Sequence, residues 1–238
     1  MPDLSKPTLA WALPWDADWV TAVAFLGPTR RVAAGNNLGQ ILLWDLPNTP
    51  GGDPPKPILT GIPKGATGNA GALVFTSPTT LLVLTGDAGN PAQSNDPASM
   101  AGKVLRIEQP TTVNQAPPTT ALTGIGAAGA LCVDGADGSL YVTDRTPTGD
   151  RLQRITKDSK VSTVWSWPDK PGIAGCAAQE GTILVNLVNT KQTVAVRLAP
   201  DTGAVTGDPE VVRQDDHGHV WALQFSPDGN VWGATVNK

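Results

Sequence analysis

Apolar residues run along this chain in short alternating bursts rather than at helical spacing. Most bursts end at Gly, Pro, Asp or Asn, residues that turn an extended chain. One apolar quartet recurs: Ala22-Val23-Ala24-Phe25, Ala72-Leu73-Val74-Phe75, Ala130-Leu131-Cys132-Val133, Ala174-Gly175-Cys176-Ala177 and Ala222-Leu223-Gln224-Phe225. The quartets begin 50, 58, 44 and 48 positions apart. Turn residues follow most of them, and then a second β-rich run at 31–34, 81–85, 140–143, 183–187 and 231–235. A third strand is predicted in four units, over 40–46, 103–108, 152–156 and 193–198. A fourth is predicted over 56–60, 120–123, 161–165 and 210–213.

Four short strands repeating every 40 to 60 positions predict an all-β β-propeller of about five four-stranded blades. Small residues (Ala22, Ala72, Ala130, Ala174) mark the innermost strand, where blades crowd the axis. The fifth unit has only two strands before Lys238, and the run Thr8-Leu9-Ala10-Trp11-Ala12-Leu13 has no other blade to join. That run is expected to supply a strand closing the last blade, making 1–238 a single propeller. One strand would still be missing, which leaves an edge open to self-association.

Composition narrows the functional classes. With 40% hydrophobic and 16% charged residues the chain can bury a core, and its 26 Gly and 22 Pro punctuate strands rather than forming a low-complexity tract. A net charge of −4 without a basic cluster argues against nucleic acid as a partner. The longest apolar runs, 80–84 and 183–188, are strand-sized and too short for a membrane span. The first residues carry no apolar signal region and no lipidation cysteine, so the chain as written is expected to be soluble.

Two stretches resemble known families. Residues 16–47, through Asp18-Trp19-Val20-Thr21-Ala22-Val23-Ala24-Phe25 and the terminal Ile41-Leu42-Leu43-Trp44-Asp45, resemble a WD-repeat blade. From about residue 56 onward the chain resembles the glucose/sorbosone dehydrogenase family. The residues that carry this are Leu84-Thr85-Gly86-Asp87-Ala88-Gly89-Asn90-Pro91, Asp96-Pro97-Ala98-Ser99-Met100-Ala101-Gly102-Lys103-Val104-Leu105-Arg106-Ile107 and Gly138-Ser139-Leu140-Tyr141-Val142-Thr143-Asp144. The second resemblance implies a parent among exported, lipid-anchored envelope lipoproteins of mycobacteria. Together the two suggest an engineered chimera, joined in the turn-rich segment 47–57.

The dehydrogenase resemblance implies pyrroloquinoline quinone, a calcium ion and a histidine base. The base is missing from the early blades, since the only histidines are His217 and His219. The loop that would hold the quinone's carboxylates reads Gly124-Ile125-Gly126-Ala127-Ala128-Gly129-Ala130 and offers no cation. The calcium element reads Asp144-Arg145-Thr146-Pro147-Thr148-Gly149-Asp150-Arg151. The carbonyls of Thr146 and Pro147, supported by Asp150, could still face a cation, whereas Arg151 opposes one. From these gaps the chain is expected to be a non-catalytic scaffold that is not an enzyme and binds no cofactor, its ligand unknown. A dehydrogenase-like binding domain or a residual quinone-dependent sugar dehydrogenase are the alternatives.

Three other groups carry chemistry. Asp215-Asp216-His217-Gly218-His219 could offer His217 and His219 to zinc or nickel, or could be a solvated loop between blades. Asp87, Asn90, Asn95 and Asp96 lie in a Gly-rich loop that could bind a sugar or cation on one face. Cys132 and Cys176 take the same place in neighbouring quartets and are either a disulfide or two small buried thiols.

Overall fold

The computed structural model describes residues 20–26, 31–45, 56–110, 115–214, 219–226 and 229–236, with the backbone alone for His219 and Val236. Among these residues there is no helix. The first sheet comprises β1 (Val20–Leu26), β2 (Arg31–Asn36), β3 (Ile41–Asp45) and β4 (Lys56–Leu59). The second comprises β5 (Gly71–Ser77), β6 (Thr80–Thr85), β7 (Val104–Glu108) and β8 (Thr119–Leu122). The third holds β9 (Ala127–Val133), β10 (Leu140–Thr146), β11 (Gly149–Ile155) and β12 (Val161–Trp167). The fourth holds β13 (Ile173–Gln179), β14 (Thr182–Leu187), β15 (Gln192–Arg197) and β16 (Glu210–Gln214). A fifth pairs β17 (His219–Phe225) with β18 (Val231–Val236). Every sheet is an antiparallel meander in chain order, as a propeller blade requires.

The quartets become the innermost strands because their residues are small enough for close approach. Gly175 is the clearest case, since a Cβ there would come within 2.5 Å of the Trp221 carbonyl oxygen on the next inner strand. Local chemistry sets the hairpins too. Glu180 and Gly181 both take positive φ (50° and 75°) between the paired residues Gln179 and Thr182, a two-residue turn whose twist matches the strands.

Burial concentrates between adjacent blades. Leu43, Leu59, Leu81 and Leu105 fill the first interface. Leu84, Val104, Ile125 and Leu140 fill the second, and Tyr141, Leu152, Ile173 and Val185 the third. The third interface is also stitched by polar and covalent links. Thr143 accepts from the Ala130 N–H at 2.7 Å and donates its hydroxyl to the Ala174 carbonyl. Cys132 on β9 is bonded to Cys176 on β13, their Cα atoms 5.9 Å apart. Trp165 and Trp167 on β12 make a T-shaped contact, with ring centroids 6.4 Å apart.

The five-blade β-propeller predicted from the repeats is thus the observed architecture. The last blade shows two strands among the described residues, and the expected closing strand at 8–13 lies outside them. So do most of the proposed junction, 46–55, and the connection 215–218.

Candidate functional site at the channel mouth

The five inner strands surround a channel of about 360 Å³ lined by small residues, including Ala22, Ala72, Gly129 and Gly175, with Trp221 at one side. Since each first strand is innermost and each blade is a meander, one end of this channel collects two sets of connections. These are the loops between second and third strands and those leading into the next blade. The 86–103 loop, the 123–126 segment, the β10–β11 hairpin and the 168–172 turn all gather there.

The hairpin carries the calcium-like element, and its charges are already committed. Asp150, buried on β11, accepts from the Gly172 and Ile173 N–H groups at 2.7 and 2.9 Å. Asp144, fully buried on β10, accepts from the Gly126 N–H at 2.7 Å through one oxygen and pairs with Arg151 through the other. Arg151 also donates to the Gly124 carbonyl at 2.9 Å. Burial raises the Asp144 carboxyl above its ordinary value; Arg151 and the Gly126 N–H pull it back, and nearby Asp87 adds to the rise. Arg151 therefore serves as the counter-charge of Asp144. Thr146 uses its hydroxyl on the Gly149 carbonyl at 2.8 Å, while Pro147 sits exposed at the tip.

Arg145, between these groups, is arranged differently. Its guanidinium carbon lies 5.8 Å from the ring centroid of Trp221. Its Nε is buried and has no hydrogen-bond partner among the described residues. A desolvated guanidinium donor without an acceptor is costly, and an anion offered to it would relieve that cost. Trp221, a residue 43% exposed, gives the same spot a flat apolar surface.

In the 86–103 loop, three of the four polar residues singled out above shape turns. Asp87 accepts from Gly89 N–H at 2.9 Å, Asn90 from Ala92 N–H at 3.2 Å and Asp96 from Ala98 N–H at 2.9 Å. Asn95 stands exposed beside Gly124. Lys103, which no reading of the sequence distinguished, is fully buried at the loop's end. Burial pulls its pKa below the ordinary lysine value, and the Asp96 carboxylate opposes this. His217 lies outside the described residues, as does the side chain of His219. Among the described residues no three acid, His or Cys groups converge on a metal position.

Sequence reasoning missed Arg145 and Lys103 for the same reason. Each is a cation in a segment read for other features, and only the fold shows which one is paired. Their one visible signal was a charge at each strand's end beside a loop or turn.

The opposite end of the channel has a cavity of about 540 Å³ between the third and fourth blades, lined by Asp137, Tyr141, Arg154, Glu180 and Asp201 among others. Tyr141 is 1% exposed, and burial chiefly raises its phenol to about 12. It is the chain's single tyrosine, so phenolate absorbance reports it alone. The expected titration midpoint is about 12 in the folded protein, against an ordinary 10.0. Between those values the unfolded chain releases a proton that the folded chain keeps. Stability should therefore fall with rising pH across that window, by about 3 kcal/mol in all. A midpoint near 10 before unfolding would show that the phenol is solvated.

No family profile matches the sequence, and no curated protein is significantly similar to it. Solved structures do match. The PQQ-bound form of an aldose sugar dehydrogenase from Streptomyces coelicolor superposes with TM-score 0.74 at 21% identity, over 92% of this chain and 74% of that one. The apo-form of the soluble aldose sugar dehydrogenase from Escherichia coli gives 0.68 at 16% identity, over 89% and 77%. The calcium-binding protein regucalcin from Agrobacterium tumefaciens gives 0.64 at 15%, over 91% and 67%.

At these identities the likeness is one of fold, and it corrects two expectations. The absence of enzymatic function and of a cofactor was inferred from individual loops. About nine-tenths of the chain instead superposes on aldose sugar dehydrogenases, one of them solved in its PQQ-bound form. The Gly124–Ala130 segment has no cation of its own, but folding brings the Arg145 guanidinium to the same end of the channel.

Proposed function

We propose that this chain is a glucose/sorbosone dehydrogenase-like propeller that binds an acidic, planar quinone at the channel mouth and oxidises aldose sugars. The observation that carries the reading is the unsatisfied Nε of Arg145 beside the exposed Trp221 ring. This pair fits pyrroloquinoline quinone, a flat molecule bearing carboxylates. Calcium fits the described residues less well, because Asp144 and Asp150 are committed to Arg151 and to backbone N–H groups.

When bound, the quinone supplies the two-electron acceptor that oxidation of a sugar requires. Arg145 would neutralise a carboxylate, and Trp221 would cover a ring face. The Asp144–Arg151 pair, tied to Gly124 and Gly126, fixes the strand that carries Arg145. The disulfide supports an exported, oxidising setting for this domain, consistent with a lipid-anchored parent. The WD-type origin of the first blade belongs to the same reading. It is supported by Trp44, 2% exposed, and by Asp45, which pairs with Arg31 at 2.5 Å.

Titration of pyrroloquinoline quinone against tryptophan fluorescence tests the site, and dye reduction with an aldose tests turnover. Binding should quench fluorescence and raise the melting temperature. Arg145→Gln should weaken binding about ten- to a hundredfold through loss of a charge-assisted contact. Equal affinity in wild type and R145Q, or no binding at all, would remove the basis for the reading.

A further inference from the structure

The ammonium of Lys103 has an unusual setting. The side chain is fully buried, and Nζ donates to the carbonyls of Gln93 at 2.9 Å, Ser94 at 2.7 Å and Ala101 at 3.0 Å. Three convergent backbone carbonyls are the donor set that proteins use for hard cations. The loop therefore has a cation at its centre, and that cation is part of the chain. Thr85 closes the base: it donates to the Met100 carbonyl at 2.6 Å and accepts from the Lys103 N–H at 3.0 Å.

From the cage, backbone bonds run directly to the channel mouth. Gly124 N–H donates to the Ser94 carbonyl at 2.9 Å, and Ile125 N–H to the Gly102 carbonyl at 3.1 Å. Asp87 N–H donates to the Gly126 carbonyl at 2.9 Å. The same glycines hold Arg151 and Asp144. One carbonyl, that of Ser94, therefore takes both the ammonium and the Gly124 N–H.

We propose that Lys103 is the resident cation of the 86–103 loop, filling a carbonyl cage in place of a metal ion, and that it acts as a positioning residue for the 124–126 segment at the channel mouth. An apolar group in the same place would leave the buried Ala101 carbonyl with no donor, and would leave the Gln93 and Ser94 carbonyls with only the N–H groups of Asp96 and Gly124, so the loop would open to hydrate them. The consequence for ligand binding rests on the proposed quinone site, whereas the cage itself does not.

The test begins with the unmodified protein. Brief acetylation with acetic anhydride, read by peptide mass spectrometry, should label Lys103 at least tenfold more slowly than exposed Lys157. Equal labelling would overturn the cage. Lys103→Met keeps the length of the chain but removes the charge. It should speed elastase cleavage after Ala92, Ala98 or Ala101 about tenfold or more, and unchanged resistance would overturn the need for a cation. In Lys103→Ala, n-propylammonium chloride should restore resistance where sodium chloride does not, and no difference between the two salts would also overturn it. Should neither variant fold, the labelling result decides the cage.

Quinone titration of K103M separates the two claims. A nicked loop with unchanged quinone affinity would overturn the link to the channel mouth while leaving the proposed function intact. Failure of the unmodified protein to bind quinone, with Lys103 still protected, would remove the function and leave the cage standing.

Discussion

Replacing Cys132 and Cys176 together with alanine is expected to lower the melting temperature by roughly 10 °C. The bond closes a loop of 44 residues of sequence separation, and the chain-entropy account assigns such a loop about 4 kcal/mol. Its placement adds to the effect. It ties β9 to β13, the inner strands of neighbouring blades, and so fastens the interface that also holds Tyr141, Leu152 and Ile173. Reductant should reproduce the shift in the wild-type protein and leave the double variant unchanged. Identical melting of wild type with and without reductant, after mass spectrometry has confirmed reduction, would show that the bond contributes nothing to folding.

Asp150→Ala should cost about as much, on the order of 4 kcal/mol, for a different reason. One carboxylate oxygen serves two backbone N–H groups, Gly172 and Ile173, in the turn that enters β13. Removing it leaves both donors buried and unsatisfied, each at a cost of about 1 to 3 kcal/mol. Asp150→Asn keeps an acceptor of the same shape and should lose less than half as much. Chemical denaturation of the two variants makes the comparison, with midpoints moving and slopes unchanged. If Asp150→Ala were as stable as the wild type, water would have to reach the Gly172 and Ile173 N–H groups, and the turn would be open to solvent. Asp150 and the disulfide clamp the same pair of blades, so their effects should not add when combined.

These two residues show where sequence reading succeeds and where it stops. The strands were legible because alternation, small inner residues and turn formers are local properties that act within a few positions. The quartet at Ala130 predicted β9, and the turn residues Glu180-Gly181 predicted the hairpin after β13. The two cysteines could be placed in equivalent strands. Whether they touch depends on how closely blades approach, which Gly129 and Thr143 decide together through their contacts with Ala174.

The site was harder to read because charge acts through space. Asp150, read as support for a calcium ion, accepts from two backbone N–H groups, because Gly172 and Ile173 arrive from the next blade. Arg151 looked like a defect and proves to be the partner of Asp144. By itself, the sequence determined the repeat, the strand order and the small-residue axis, all set by the period of the chain and the size of its side chains. Only the tertiary structure decided which cations are paired, leaving the buried Arg145 Nε without an acceptor among the described residues and enclosing Lys103. Desolvation and hydrogen-bond geometry depend on neighbours that the chain brings together from distant positions.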